Sequence, residues 1–231
     1  VLLVVLLTAA MVWELAKMTA PDHENTPLGL AGLAGLCLAL TWFFPDRVST
    51  AFLLVPALAI ALTDRRDRRL SSLYSVAIMV AGYALIDLRM TAGTPVILWL
   101  VTIVVASDVL GYFVGRVVGG PKFWPAVSPK KTWSGTAAGW VGAALIGLGV
   151  WLAGHGTAGL VVLSVVIAFA GQMGDIAESW VKRRCGVKDA SSLIPGHGGV
   201  LDRFDALIGA LVVLVLLGLV IDLPLPAPVG G

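Results

Sequence analysis

The fold is decided by residues 133–174, which read WSGTAAGWVGAALIGLGVWLAGHGTAGLVVLSVVIAFAGQMG and contain no Asp, Glu, Lys or Arg. A helix that crosses a bilayer needs roughly 20 mostly apolar residues. This run is long enough for two such helices, and Gly154-His155-Gly156 interrupts it near its middle. The pattern therefore predicts two membrane-spanning helices joined by a short turn.

Further apolar runs extend this prediction in both directions along the chain. They cover residues 1–13, 27–45, 48–63, 70–86, 90–115 and 206–221, and only Asp108 interrupts the fifth. Of the 231 residues, 58% are hydrophobic and 13% are charged, whereas a soluble domain is closer to half apolar and a quarter charged. We therefore expect an all-α, polytopic integral membrane protein with about eight transmembrane helices in the lipid bilayer.

Lysine and arginine residues concentrate in three connecting segments that alternate with nearly uncharged ones. The basic segments are residues 65–69, 122–131 and 182–188, and with eight spans all three lie on the same side of the bilayer. Cytoplasmic loops of membrane proteins carry an excess of Lys and Arg, so we assign this side to the cytoplasm. The net charge of +2 is too small to indicate binding of nucleic acid.

The polar residues that can carry chemistry lie in the second part of the chain. We divide the chain into N-terminal transmembrane helices in residues 1–90 and a catalytic transmembrane region in residues 91–231, with cytoplasmic loops 116–132 and 180–204. Asp175, Glu178, Ser179 and Lys182 are spaced i, i+3, i+4 and i+7, which predicts one shared helical face. A carboxylate at membrane depth usually has a function or a partner.

A glycine-rich loop and several charged residues follow this face. Pro195-Gly196-His197-Gly198-Gly199 can bring backbone N–H groups close to an anion, and the neighbouring Lys and Arg residues suit phosphate recognition. Asp175 and Asp202, brought together, would supply oxygen ligands for Mg²⁺. The alternative for Lys182-Arg183-Arg184 alone is that these residues only set the orientation of the helices.

A second cluster reads Ser128-Pro-Lys-Lys-Thr-Trp-Ser-Gly135, and a third lies around Asp108. Lysines and hydroxyls at the start of a helix can hold a triphosphate. The alternative is that Thr132 or Ser134 is an N-cap and that the lysines determine topology. Asp108 either supports a metal site or forms an ion pair with Arg116 or with a lysine of another helix.

The residues from Ser179 to Asp205 resemble the signature of phosphatidate cytidylyltransferases, also called CDP-diacylglycerol synthases. The likeness rests on Ser179-Trp-Val-Lys-Arg183, Lys188-Asp189, Pro195, His197-Gly-Gly199 and Asp202-Arg-Phe-Asp205. Residues 128–135 and 107–116 resemble two further motifs of that family. The resemblance covers the C-terminal half of the chain, and the N-terminal half is similar only in being hydrophobic.

The resemblance implies transfer of CMP from CTP to phosphatidic acid, giving CDP-diacylglycerol and pyrophosphate in phospholipid biosynthesis. It implies Mg²⁺ held by Asp175 and Asp202, and it allows a monovalent cation such as K⁺ at the same site. It also implies a homodimer in the bacterial inner membrane, with the active site facing the cytoplasm. We expect catalytic roles for Asp175, Lys182 and Asp202. We expect substrate-binding roles for Ser128, Lys130, Lys131, Thr132, Ser179, Arg183, Lys188, Asp189, His197 and Arg203.

Two other classes of function fit parts of the pattern, a membrane transporter and a different CTP-dependent lipid enzyme. A transporter or channel for an anionic substrate would use Asp108 and Asp175 along its pathway, although inverted repeats are not apparent. A CTP-dependent lipid kinase or a CDP-archaeol-type synthase would use a similar site. The transporter releases no pyrophosphate from CTP, and the kinase yields CDP instead of a CDP-lipid.

Overall fold

Helices form most of the structure, as the apolar runs predict. A computed structural model describes residues 1–20, 25–44 and 46–226. Within these ranges the chain forms eight helices: α1 Leu2–Thr19, α2 Thr26–Leu40, α3 Asp46–Leu62, α4 Arg68–Thr91, α5 Thr94–Val117, α6 Trp133–Leu152, α7 Gly159–Cys185 and α8 Leu201–Gly218. The predicted second span ends at Pro45, which lies outside the described residues.

Five of these helices are long and apolar enough to cross a membrane: α1, α4, α5, α6 and α7. Helix α2 is apolar but has only 15 residues, and the apolar part of α3 runs from Thr50 to Leu62. Helix α8 begins with a charged turn that contains Asp202 and Arg203. The helical fold is therefore confirmed, whereas the number of eight transmembrane helices stays a prediction.

The chain forms two compact units. The first contains Val1–Ile86 and Glu178–Asp205, and the second contains Asp87–Ala177 and Ala206–Gly231. The first boundary between the units thus falls after Ile86, and the segment Glu178–Asp205 belongs with the N-terminal helices, while the functional division of the chain at residue 90 stays a prediction. In the first unit, the fully buried side chains include Leu15 of α1, Leu38 of α2 and Ile78 of α4.

In the second unit, α5, α6 and α7 pack around small residues and a few buried polar groups. Trp99 of α5 donates a hydrogen bond from Nε1 to Oγ of Ser164 in α7, at 3.1 Å. Gly147 of α6 lies against the backbone of α7, because a Cβ atom at this position would be 2.8 Å from the carbonyl oxygen of Leu160. Close backbone contacts of this kind are typical of helix packing in lipid.

Replacing Gly147 by alanine is expected to destabilise the second unit. The new methyl group would also lie 2.9 Å from Cα of Val161, so the backbones of α6 and α7 must separate. Overpacking of this kind costs about 1–3 kcal/mol. The measurement is thermal unfolding of the purified chain in detergent.

Gly149→Ala is the matched control for this substitution, because it lies in the same helix and a Cβ atom there would meet nothing within 4 Å. An open helical site gains about 0.5–1 kcal/mol from alanine. If Gly147→Ala and Gly149→Ala unfold at the same temperature, the close approach of α6 and α7 is wrong.

The connection between α5 and α6 contains a short hairpin that the sequence pattern did not indicate. Strand β1 is Lys122–Trp124 and strand β2 is Ser128–Thr132, and the two pair antiparallel with an irregular register. The N–H of Trp133 donates to the carbonyl of Pro121 at 3.0 Å, which closes the hairpin at the start of α6. This hairpin holds the Ser128–Thr132 cluster in an extended conformation.

Candidate active site

A cavity of about 790 Å³ lies in the second unit, next to the hairpin. Its walls come from α5, the hairpin, the start of α6 and the end of the apolar part of α7. The charged side chains that line it are Asp108, Arg116, Lys122, Lys130, Lys131 and Asp175. Four cationic and two acidic side chains thus share one concave site, whose volume is in the range of small-molecule sites.

Two of the predicted residues meet directly at this cavity. Nζ of Lys131 lies 2.5 Å from Oδ2 of Asp175, and both side chains are partly exposed. The same ammonium group donates to the backbone carbonyl of Gln172 at 3.3 Å. Strand β2 therefore presents a lysine to the carboxylate of α7, and the ion pair connects the Ser128–Gly135 cluster to the first residue of the predicted helical face.

The start of α6 confirms the N-cap alternative for Thr132. Oγ1 of Thr132 accepts a hydrogen bond from the N–H of Gly135 at 3.2 Å, and its backbone is extended, as an N-cap requires. The hydroxyl of Ser134 donates to the carbonyl of Gly119. Ser128, Lys130 and Thr132 all line the cavity, and their substrate-binding roles stay predictions.

Gln172 supports the wall of this cavity, a role that only its position three residues before Asp175 could have indicated. Its side chain is buried, and Nε2 donates to Oγ of Ser107 at 3.1 Å and to the carbonyl of Thr136 at 3.2 Å. Its Oε1 accepts a hydrogen bond from Nε1 of Trp140 at 2.9 Å. One amide thus connects α5, α6 and α7 beside the Lys131–Asp175 pair.

The other predicted residues lie in the first unit, around a buried lysine. Nζ of Lys182 pairs with Glu178, and it lies 2.6 Å from Oδ1 of Asp202. Glu178 is fully buried and Lys182 is 9% exposed. The predicted helical face is confirmed for this pair, which is spaced i, i+4. The ammonium group predicted to act on substrate is held between two carboxylates.

Asp202 lies in the first turn of α8, before the apolar stretch that begins at Ala206. Its Oδ2 accepts hydrogen bonds from the N–H groups of Gly199, at 2.7 Å, and of Ala190, at 2.9 Å. Burial raises the pKa of Asp202, but the hydrogen bonds from Lys182 and from these two N–H groups outweigh it, so the pKa lies below its ordinary value. Asp202 is therefore a well-satisfied anion that orders the loop before α8.

The glycine-rich loop is folded back on itself. The N–H of His197 donates to the carbonyl of Ile194 at 2.9 Å, and the N–H of Ile194 donates to the carbonyl of Gly198, also at 2.9 Å. Arg203 donates from Nε and Nη2 to the carbonyl of His197, at 3.1 and 2.6 Å. The N–H groups of His197 and Gly199, predicted to face an anion, are thus used within the protein.

The remaining predicted residues of this unit lie at its surface or along α7. Lys188, Asp189 and His197 are exposed, and the guanidinium of Arg183 donates to the carbonyl of Val187 at 3.3 Å. Ser179 lies in α7 beside Glu178 in sequence. The structure therefore places Lys182 against Asp202 and Arg203 against the backbone of His197. The substrate-binding roles expected for the predicted residues of the first unit stay predictions.

Mg²⁺ binds mainly to oxygen atoms, so the Asp and Glu side chains are the candidate protein ligands for it. No group of three or more His, Cys, Asp or Glu side chains suited to a metal ion occurs within residues 1–20, 25–44 and 46–226. Mg²⁺ commonly takes only one or two carboxylates and completes its shell with waters and substrate phosphates. The pair of carboxylates in the cavity, Asp108 and Asp175, fits that donor set.

Comparison with known proteins places the chain in a family. Residues 1–221 match the cytidylyltransferase family. A phosphatidate cytidylyltransferase of Brucella abortus is 35% identical over 225 residues, which covers 93% of this chain and 82% of that protein. One of Helicobacter pylori is 41% identical over 141 residues, covering 60% of this chain and 53% of that protein. The chain therefore belongs to the cytidylyltransferase family, alongside these phosphatidate cytidylyltransferases, and is a nucleotidyltransferase.

Proposed function

We propose that this enzyme transfers CMP from CTP to phosphatidic acid, giving CDP-diacylglycerol and pyrophosphate for phospholipid biosynthesis. The observation that supports it best is the cavity of the second unit, where four cationic side chains and two carboxylates line one site. Reacting two polyanions requires relief of their mutual repulsion. The named function of the relatives from Brucella and Helicobacter agrees with this chemistry.

The reaction is a substitution at phosphorus. An ionised phosphate oxygen of phosphatidic acid attacks the α-phosphorus of CTP, the new P–O bond forms, and the bond to the β-phosphate oxygen breaks to release pyrophosphate. The nucleophile is already an anion at neutral pH, so no side chain needs to remove a proton. Catalysis is then positioning and charge neutralisation. Arg116, Lys122 and Lys130 are the cavity's side chains for holding phosphate oxygens.

The proposal includes Mg²⁺, which when bound would neutralise and align the reacting phosphates. Asp175 is the ligand that the cavity supports, with Asp108 lining the same cavity. Asp202 remains the second proposed ligand, and there a metal would compete with Lys182 for Oδ1. A monovalent cation such as K⁺ at the same site also remains part of the proposal.

The proposal places the enzyme in a bacterial inner membrane with eight spans and with the basic segments on the cytoplasmic side. The five long apolar helices support insertion into a bilayer. A water-soluble nucleotide and a lipid phosphate can then meet at the membrane surface. A homodimer is the proposed assembly.

The test is a reaction of the purified chain in detergent with CTP, phosphatidic acid and Mg²⁺. We expect pyrophosphate release that depends on both substrates, and a CDP-lipid by mass spectrometry. Release of CDP with a phosphorylated lipid would indicate a kinase, and no turnover of CTP would favour the transporter. The same assay with an archaeol-type phospholipid precursor in place of phosphatidic acid tests for a CDP-archaeol-type synthase, which would form its CDP-lipid from that precursor.

A further inference from the structure

Glu14 is a buried carboxylate of α1 that the proposed reaction does not use. Its side chain belongs to the first unit and is fully buried. Oε1 accepts hydrogen bonds from Oγ of Ser191 at 2.6 Å and from the N–H of Val200 at 2.9 Å. Oε2 accepts one from the N–H of Leu201 at 2.6 Å. These three partners of Glu14 all lie in or beside the loop that precedes α8.

Two carboxylates share the start of α8. Asp202 accepts the N–H of Gly199, and Glu14 accepts the next two, from Val200 and Leu201. The first N–H groups of a helix lack partners within the helix, and a negative charge there is favourable. Glu14 therefore acts as an N-terminal cap that comes from a different helix, and it fixes the residues immediately before Asp202.

Gly199 provides the space for this contact. A Cβ atom at residue 199 would lie 2.5 Å from Oε1 and 2.8 Å from Cδ of Glu14. The φ angle of Gly199 is not in the left-handed region, so its backbone conformation does not require glycine. Glycine leaves the space that the Glu14 carboxylate occupies, and a side chain at residue 199 would require that carboxylate to move.

We propose that Glu14 is a positioning residue, which holds the loop 186–200 and the first turn of α8 so that Asp202, Lys182 and Arg203 keep their arrangement. The loop's own contacts depend on this geometry. Oδ2 of Asp202 accepts hydrogen bonds from the N–H groups of Ala190, near the start of the loop, and of Gly199, near its end. This inference rests on the proposed function for its effect on catalysis. The anchoring of the loop is independent of that function.

The main test is Glu14→Gln in the full chain in detergent. An amide retains only one acceptor oxygen, so its NH₂ group must face the N–H of either Val200 or Leu201. We expect amide hydrogen exchange in residues 186–201 to become about tenfold faster. We also expect kcat for CMP transfer to fall about thirtyfold while KM for CTP changes by less than about twofold, because a small displacement affects the transition state most.

Two further variants keep this test decisive if Glu14→Gln folds poorly. Ser191→Ala removes one of the three hydrogen bonds and should produce a smaller change of the same kind. Asp67→Asn is the control: it weakens an exposed pair with Arg184 in the same unit, and asparagine tolerates the positive φ of residue 67. We expect exchange and kcat within about twofold of the unchanged protein for Asp67→Asn.

Each outcome decides a separate point. If amide hydrogen exchange in residues 186–201 is unchanged in both Glu14→Gln and Ser191→Ala, the inference that Glu14 anchors the loop is wrong. Faster exchange with unchanged kcat overturns the positioning role, as does a loss of kcat that only follows the loss of folded protein. If the unchanged protein forms no CDP-lipid, the proposed function fails, and the exchange measurement alone still decides whether Glu14 anchors the loop.

Discussion

Asp175→Asn is expected to lower the turnover of CMP transfer by about a hundredfold or more, while the protein still folds and inserts into membranes. The carboxylate lies in the cavity and pairs with Lys131. Asparagine has nearly the same shape but no charge, so it binds a divalent cation weakly and no longer balances the lysine. Near-normal transfer by this variant would exclude the proposed metal role.

A double variant separates the two consequences of removing this charge. If the loss came only from an unbalanced lysine, Lys131→Met combined with Asp175→Asn should turn over as fast as Lys131→Met alone. If the carboxylate acts on the reacting phosphates through a metal, the double variant should be no more active than Asp175→Asn. We expect the second result. Asp222→Asn changes an exposed carboxylate of the same unit and should leave turnover within about twofold.

Both single variants should cost little stability. The side chains of Lys131 and Asp175 are 22% and 30% exposed, so water can solvate a partner that is left alone. Exposed ion pairs contribute only about 0–1 kcal/mol. A large loss of stability on Asp175→Asn would therefore mean that the measured turnover reports unfolding, and the thermal unfolding midpoint in detergent provides this check.

The helices were predictable because their signal is local. An apolar run of membrane length predicts a helix wherever it occurs, and each predicted run corresponds to one of the eight helices of residues 1–20, 25–44 and 46–226. The end of α7 was also predictable, since the spacing of Asp175, Glu178 and Lys182 continues a helix past the apolar run. The helix does continue to Cys185.

The site was predictable only where its contacts are short in sequence. Thr132 caps α6 by accepting a hydrogen bond from the N–H of Gly135, three residues later, and Lys182 pairs with Glu178, four residues earlier. Glu14, in contrast, contacts residues 177 to 187 positions away. A single carboxylate in an apolar helix indicates that a partner exists, but one sequence does not identify that partner. The hairpin was missed for a different reason: its contacts are close in sequence, but strands of three and five residues are too short to show an alternating pattern.

Asp202→Asn is expected to lower turnover by about a hundredfold or more and also to reduce stability. Oδ1 of Asp202 accepts a hydrogen bond from the ammonium of Lys182, and Oδ2 accepts hydrogen bonds from the N–H groups of Ala190 and Gly199. An amide oxygen satisfies one side only, so its NH₂ group must face either the ammonium of Lys182 or the two N–H groups. Leaving buried donors unsatisfied costs about 1–3 kcal/mol. This double effect distinguishes Asp202 from Asp175.

The dependence of the Asp202→Asn variant on Mg²⁺ decides between a metal ligand and a purely structural carboxylate. Turnover is measured per folded molecule, with the folded fraction taken from thermal unfolding. If Asp202 holds the metal, the Mg²⁺ concentration for half-maximal turnover should rise about tenfold or more. If Asp202 only orders the loop, that concentration should stay unchanged while turnover falls. The second result would leave Asp175 and Asp108 as the proposed ligands, because Oδ1 of Asp202 would then serve only Lys182.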